Sequence, residues 1–103
     1  MKLFNGGVKL KKAVVDLTNC RDIADLHQRF KEGLQFPEHY GANLDAFWDC
    51  IKCDCEYDFV TVIGSESIKE ELKPTLNCLI EMFEDCKKFW AQYNEYFDYE
   101  ILN

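Results

Sequence analysis

The run Phe59–Ile63, FVTVI, followed at once by Gly64, decides the fold. A short stretch of β-branched and aromatic residues ended by glycine reads as a strand. Working outward, AVVDL at Ala13–Leu17 is a second such run, and Phe97–Leu102 is a third, in which Phe97, Tyr99 and Ile101 alternate. The segments between them carry helical periodicity. Asp22 is placed to cap a helix over Ile23–Glu32, whose apolar residues Ile23, Leu26 and Phe30 fall at i, i+3 and i+7, with Gly33 as its stop. Phe36-Pro37 forces an extended link. Asn43 then caps a second helix, Leu44–Lys52, with Leu44, Phe47, Trp48 and Ile51 on its apolar face. After the middle strand, Ser67-x-x-Glu70 has the form of a capping box and opens a short helix. Pro74 breaks that helix and begins the next, Thr75–Lys88, which buries Leu76, Leu79, Ile80, Phe83 and Cys86.

The resulting order is β-α-α-β-α-α-β. Strands joined through helices cannot pair as hairpins and argue for an α/β domain, a three-stranded parallel sheet covered by about four helices. The 103 residues suit one domain, 1–103, in which 1–10 form a loose extension or a small hairpin around Asn5-Gly6-Gly7. The aromatic stretch Phe89–Tyr96 extends the last helix or covers an edge.

Hydrophobic residues make up 48% of the chain, enough for a core and too many for a disordered segment. There is no apolar run of membrane-spanning length and no secretory pattern at the start, so a cytoplasmic protein is expected. In that compartment the six cysteines, Cys20, Cys50, Cys53, Cys55, Cys78 and Cys86, stay reduced. Cys50, Cys78 and Cys86 fall inside helical patterns, as small core residues do. Cys50-x-x-Cys53-x-Cys55 is a weak metal or redox signal, because Cys78 and Cys86 lie eight residues apart and cannot easily complete one zinc site. No metal and no cofactor are expected.

The net charge is −7, unevenly spread. Lys2, Lys9, Lys11 and Lys12 fall in the first twelve residues, which hold no acid. Between Glu38 and Asp58, Glu38, Asp45, Asp49, Asp54, Glu56 and Asp58 face only Lys52. Such a field repels nucleic acid and membrane phosphate and attracts basic partners, although it also serves plain solubility. Phosphate-loop, dinucleotide-loop and nucleophile-elbow motifs are all absent from the sequence.

Asp45 and Asp49 stand one helical turn apart with no lysine or arginine between them. Like charges at that spacing cost a helix roughly 0.2–0.5 kcal/mol. The helix dipole favours Asp45, in the first turn, more than Asp49. Two readings compete with a solvated face: general acid–base work, which needs a pocket, and recognition, in which a fixed carboxylate docks into a cationic site beside an aromatic anchor. His27 lies at the border of the first helix, and His39 in the loop before the acidic one.

The block DLHQRFKEGLQFPEHYGANLDAFWDCI, Asp25–Ile51, resembles the barstar family, intracellular inhibitors of barnase-type ribonucleases. KKAVV at Lys11–Val15 and LIEMFEDCKK at Leu79–Lys88 resemble it more weakly. The resemblance implies a barstar-like three-stranded parallel sheet and no enzymatic activity. It also implies a binding face made of the acidic helix and the loop before it. On that implication Asp49 enters the phosphate pocket of a guanyl-specific ribonuclease and pairs with its arginines and histidine. Asp45 is a second acidic contact, Trp48, Tyr40 and Gly41 flank them, and Asn43 sits near the helix cap. The family's loop tyrosine falls on His39, its glutamate on the last helix on Asp85, and its Gly-Trp after the acidic helix on Cys53-Asp54-Cys55. The expected partner is a secreted barnase-type ribonuclease, or another basic protein or toxin bound by the same scaffold. Neither nucleic acid nor membrane is expected as a partner, and the free chain is expected to be a monomer.

Overall fold

The computed structural model describes residues 11–102. Strands β1 (Lys12–Asp16), β2 (Phe59–Ile63) and β3 (Asp98–Leu102) form one sheet in the order β1-β2-β3, with both pairs parallel. Helices α1 (Ile23–Leu34) and α2 (Leu44–Asp49) join the first two strands, and α3 (Lys73–Ala91) leads to the third. Ala13 pairs with Val60 and Val15 with Val62, and these four side chains are buried, while Lys12, Val14 and Asp16 point outward and are exposed. The sheet is therefore packed on one face by helices. That is the two-layer pattern of an alternating strand, not of a continuously apolar one.

The core is organised around Phe83 of α3. Its ring lies 5.9 Å from Phe30 of α1, 5.7 Å from Phe47 of α2, 6.0 Å from Phe97 and 5.6 Å from Tyr99 of β3. Aromatic pairs at these separations add to the burial of their large apolar areas. Phe47 also meets Phe30 edge-on at 5.4 Å and Phe36 at 5.8 Å, so α2 is held to three other parts of the core through one fully buried ring.

Several boundaries differ from the sequence expectation. Helix α1 runs through Gly33 and ends at Gln35, which adopts the left-handed conformation and donates its N–H to Lys31 O. Gly33 serves close packing instead: a Cβ there would stand 2.8 Å from Val14 O and 2.9 Å from Val15 Cγ2. Ile23, expected on the apolar face, is exposed at the first turn, and Cys78 is exposed on α3. Where a fourth helix was expected, the chain makes 3-10 turns at Ser65–Ser67 and Glu70–Leu72. Ser67 does not cap a helix; its hydroxyl donates to Gly64 O at 2.8 Å and accepts from Asn19 N–H. Three α-helices thus occur among the described residues. Helix α3 reaches Ala91, absorbing Phe89 and Trp90, while Tyr93 is exposed beyond its end. In β3, Phe97 and Tyr99 face the core and Ile101 is exposed. The expected hairpin around Asn5 lies outside the described residues.

Candidate functional site

Asp22 caps α1 by accepting from Asp25 N–H at 2.7 Å, and Asn43 caps α2 by accepting from Ala46 N–H at 2.8 Å. Both caps fall where the sequence places them, and each satisfies an N–H that a helix start otherwise leaves unpaired. Phe47, with no exposed surface, sets the rotation of α2. Asp45 and Asp49 lie two residues to either side of it, about 200° away around a helix of 3.6 residues per turn, and are exposed. The stripe the sequence suggested is therefore on the outside. Leu44, expected to be inside, is 38% exposed, and with half-buried Trp48 at i+4 it forms an apolar stripe beside the acidic one.

Beyond Asp49 the helix widens into a π-turn over Cys50–Asp54. The Cys50 N–H is shared between the carbonyls of Ala46 and Phe47, and Ile51 O accepts from the buried Cys86 thiol at 3.7 Å. A wider turn leaves carbonyls short of their usual partners, and the α3 thiol supplies one.

The loop before α2 is fixed from behind. Tyr40 is half-buried, with its ring 5.1 Å from Phe36 and its hydroxyl 2.5 Å from His27 Nδ1. Burial lowers the pKa of His27 below its ordinary value, and burial raises that of Tyr40 well above the ordinary phenol value. Both shifts favour a neutral ring accepting from a neutral phenol O–H. Next to Tyr40, Gly41 packs closely against the cap, since a Cβ there would meet Asn43 Nδ2 at 3.2 Å. Asn43 Nδ2 also donates to Gly41 O at 3.3 Å. Ala42 completes the loop at φ 53°, a left-handed conformation that side-chain-bearing residues seldom adopt. His39 is exposed at the loop's outer edge.

The fold draws its cations elsewhere. Arg29 pairs with Asp25 at 3.3 Å and donates to the Asp16 and Thr18 carbonyls, tying α1 to the end of β1. Lys31 reaches Glu38, Lys73 reaches Glu70 and Lys87 reaches Asp98. Among the described residues no ion pair neutralises Asp45, Asp49 or Asp85. Lys52, one turn past Asp49, places its ammonium over the rings of Trp48, at 5.4 Å, and Phe89, at 5.5 Å. Asp85, exposed on α3, lines a groove with Trp48 between the two helices.

Among the described residues no cluster of three histidine, cysteine or acidic side chains is arranged to hold a metal, and no helix is long and apolar enough to cross a membrane. Cys50 and Cys55 are buried. His27, Leu44, Lys52 and Phe89 escaped the sequence-level site. For His27 a signal existed in its place beside Leu26 and one turn before Phe30. Lys52 and Phe89 meet only through the packing of α2 on α3.

Fold and site together define a small α/β protein in which two exposed acids, Asp45 and Asp49, stand on a helix anchored from within by the buried ring of Phe47. The chain belongs to the barstar family: the family model described as "Barstar (barnase inhibitor)" matches residues 10–101. It is also similar to a Bacillus subtilis (strain 168) protein called "Putative ribonuclease inhibitor YrdF", with 43% identity over 42 residues. That match covers 41% of this chain and 46% of the relative, so it spans about half the length of the curated relative.

Proposed function

We propose that the protein is a cytoplasmic, non-catalytic inhibitor that binds a barnase-type ribonuclease and blocks its active site with the outer face of α2 and the loop before it. The observation that carries this reading is the carboxylate pair Asp45 and Asp49, without an ion-pair partner among the described residues and exposed on a helix whose rotation Phe47 fixes. Asp49 takes the place of a substrate phosphate in a cationic cleft, and Asp45 adds a second charge. Trp48, Leu44 and Tyr40 flank the pair, and Asp85 approaches from α3. The face moves no proton and breaks no bond; inhibition is steric and electrostatic. The acidic field steers a basic partner toward the stripe, an effect that weakens as salt screens it over about 10 Å at 0.1 M. Family membership supports the partner class.

A second reading keeps the face and changes the partner to another basic protein or toxin. It is favoured by the exposed His39 in place of the family's tyrosine and by Cys53-Asp54-Cys55 in place of its Gly-Trp. The test is inhibition of purified barnase-type ribonucleases at low and moderate salt, beside Asp49→Ala. Wild type should inhibit tightly, and the variant should lose about 2–5 kcal/mol of binding with its fold intact, a range drawn in part from the barnase–barstar pair itself. Equal inhibition by the variant would remove Asp49 from the contact. Failure of the folded wild type to inhibit any such enzyme would shift the assignment to the second reading.

A further inference from the structure

The face of the sheet turned away from the helices carries apolar side chains in every row. Register places Lys12, Phe59 and Asp98 in one row, Val14, Thr61 and Glu100 in the next, and Asp16, Ile63 and Leu102 in the third. Val14 is 55% exposed and Leu102 49%, while Phe59 and Ile63 are half-buried. A solvated sheet face ordinarily alternates to polar residues, so this one calls for a cover. We propose that the cover is the chain's own first ten residues, MKLFNGGVKL, folded back from Lys11 over the open face.

Charge, composition and reach select that occupant. On the open face Asp16 and Glu100 outnumber the ammonium of Lys12, while Lys87 pairs with Asp98 at 3.2 Å. A second copy of the same face would bring like charge against like, and an anionic surface would be repelled. The first ten residues have the complementary character: Met1, Leu3, Phe4, Val8 and Leu10 are apolar, Lys2 and Lys9 are cationic, and no acid is among them. Their point of departure is fixed beside the face. Lys11 donates its N–H to Asp58 Oδ2 at 3.1 Å, and its carbonyl accepts from the Asp58 and Phe59 N–H groups at 2.8 and 3.2 Å. Pairing as a further strand beside β1 is blocked, since Gly33 packs on Val14 O and Arg29 holds Asp16 O. Ten residues reach about 33 Å when extended, against about 17 Å for a five-residue strand. The segment can therefore run the length of the face and return, and Asn5-Gly6-Gly7 has the composition of a reversal. Tethering makes the contact intramolecular, so individually weak interactions suffice. The family match starts at residue 10, so the cover belongs to this chain and not to the shared fold.

The test is NMR of the full isotope-labelled chain, with its mass measured by light scattering in the same sample. Wild type should be a monomer with nuclear Overhauser contacts from Leu3, Phe4 or Val8 to Val14, Phe59, Ile63 or Leu102. Leu3→Asp combined with Phe4→Asp should abolish them, shift the Val14, Ile63 and Leu102 methyl signals, leave those of buried Val15 and Val62 in place, and lower the urea midpoint. Val14→Asp, on the face itself, should abolish the same contacts. A wild-type monomer that lacks these contacts, and whose face methyls ignore the changes at Leu3 and Phe4, would overturn the proposal. A dimer mass, with the contacts appearing only between labelled and unlabelled copies, would assign the face to a second copy and overturn it as well. The wild-type contacts are read directly, so the test survives a variant that fails to fold.

Discussion

The contact between His27 and Tyr40 couples the loop before α2 to solution pH. His27 is 4% exposed, and its Nδ1 accepts from the Tyr40 hydroxyl at 2.5 Å. Burial lowers its pKa from the ordinary imidazole value of 6.5. Between those two values the unfolded chain binds a proton that the folded chain refuses, so stability rises with pH in that window. The contribution is complete above 6.5 and is lost as pH falls toward the lower folded value, with a limiting slope of about 1.4 kcal/mol per pH unit for one proton. Asp16 and Asp25 do not interfere. Backbone N–H groups of Thr18 and Arg21 hold their carboxyls below the ordinary 3.8, so their contributions fade only under more acidic conditions. Tyr40→Phe removes the donor and leaves a buried imidazole nitrogen unpaired, which costs about 1–3 kcal/mol at neutral pH. Urea unfolding of wild type, Tyr40→Phe and His27→Gln from pH 8 to pH 5 measures all of this. His27→Gln should be less stable than wild type at pH 8, and the gap should narrow as pH falls. Parallel curves for wild type and His27→Gln across that range would refute the neutral, buried assignment of His27.

Gly33→Ala sets two effects against each other. Alanine gains up to about 1 kcal/mol in helix propensity, less near a helix end, whereas a methyl forced against Val14 O and Val15 Cγ2 costs about 1–3 kcal/mol. The clash should win by about 1 kcal/mol in urea denaturation, and a stabilised variant would show that α1 can move away freely. Asn43→Ala should lose about 1 kcal/mol with the cap of α2, and ribonuclease inhibition should weaken as well because the stripe loses its fixed start. Ala42→Gly should raise the thermal midpoint, since glycine relieves a left-handed residue by about 1 kcal/mol or less after its own entropy cost.

The sequence made the middle strand and both helix caps legible because their signals are local. FVTVI needs only its own composition and the following glycine, and Asp22 and Asn43 bond within the first turn they cap. Gly33 was misread because a glycine after a helical run has two uses, a left-handed stop or a close approach, and only the position of β1 distinguishes them. Ser67-x-x-Glu70 failed for a similar reason. The hydroxyl finds a nearer acceptor in Gly64 O, and that bond favours a 3-10 turn over a helix start. At the site, the acidic stripe followed from periodicity alone. Leu44 did not, since an apolar residue at the correct spacing is buried only if something lies over the first turn. The groove was beyond sequence reading altogether, because Trp48 and Phe89 are forty-one positions apart and face one another only once Phe83 has drawn α2 and α3 together.

That division has a physical consequence for recognition. Asp45 and Asp49 repel by only a few tenths of a kcal/mol, while Phe47 meets three other aromatic rings that keep α2 from turning the stripe elsewhere. The free protein therefore already presents its carboxylates on a packed helix, and in the proposed complex docking need not order them, which removes a cost that flexible acidic segments incur on binding. The surrounding residues are less constrained. His39, Leu44 and Gln92 are exposed and contribute little to the core, so they can change with little loss of fold. On the proposed function, such a scaffold would separate the general attraction for a basic cleft, assigned to two carboxylates, from the choice among basic clefts, assigned to the rim. Exchanging rim residues such as His39 for tyrosine should therefore alter which ribonuclease is preferred while leaving the salt dependence of association unchanged. Measuring both quantities on one variant separates the two roles, and a change in salt dependence without a change in preference would contradict the separation.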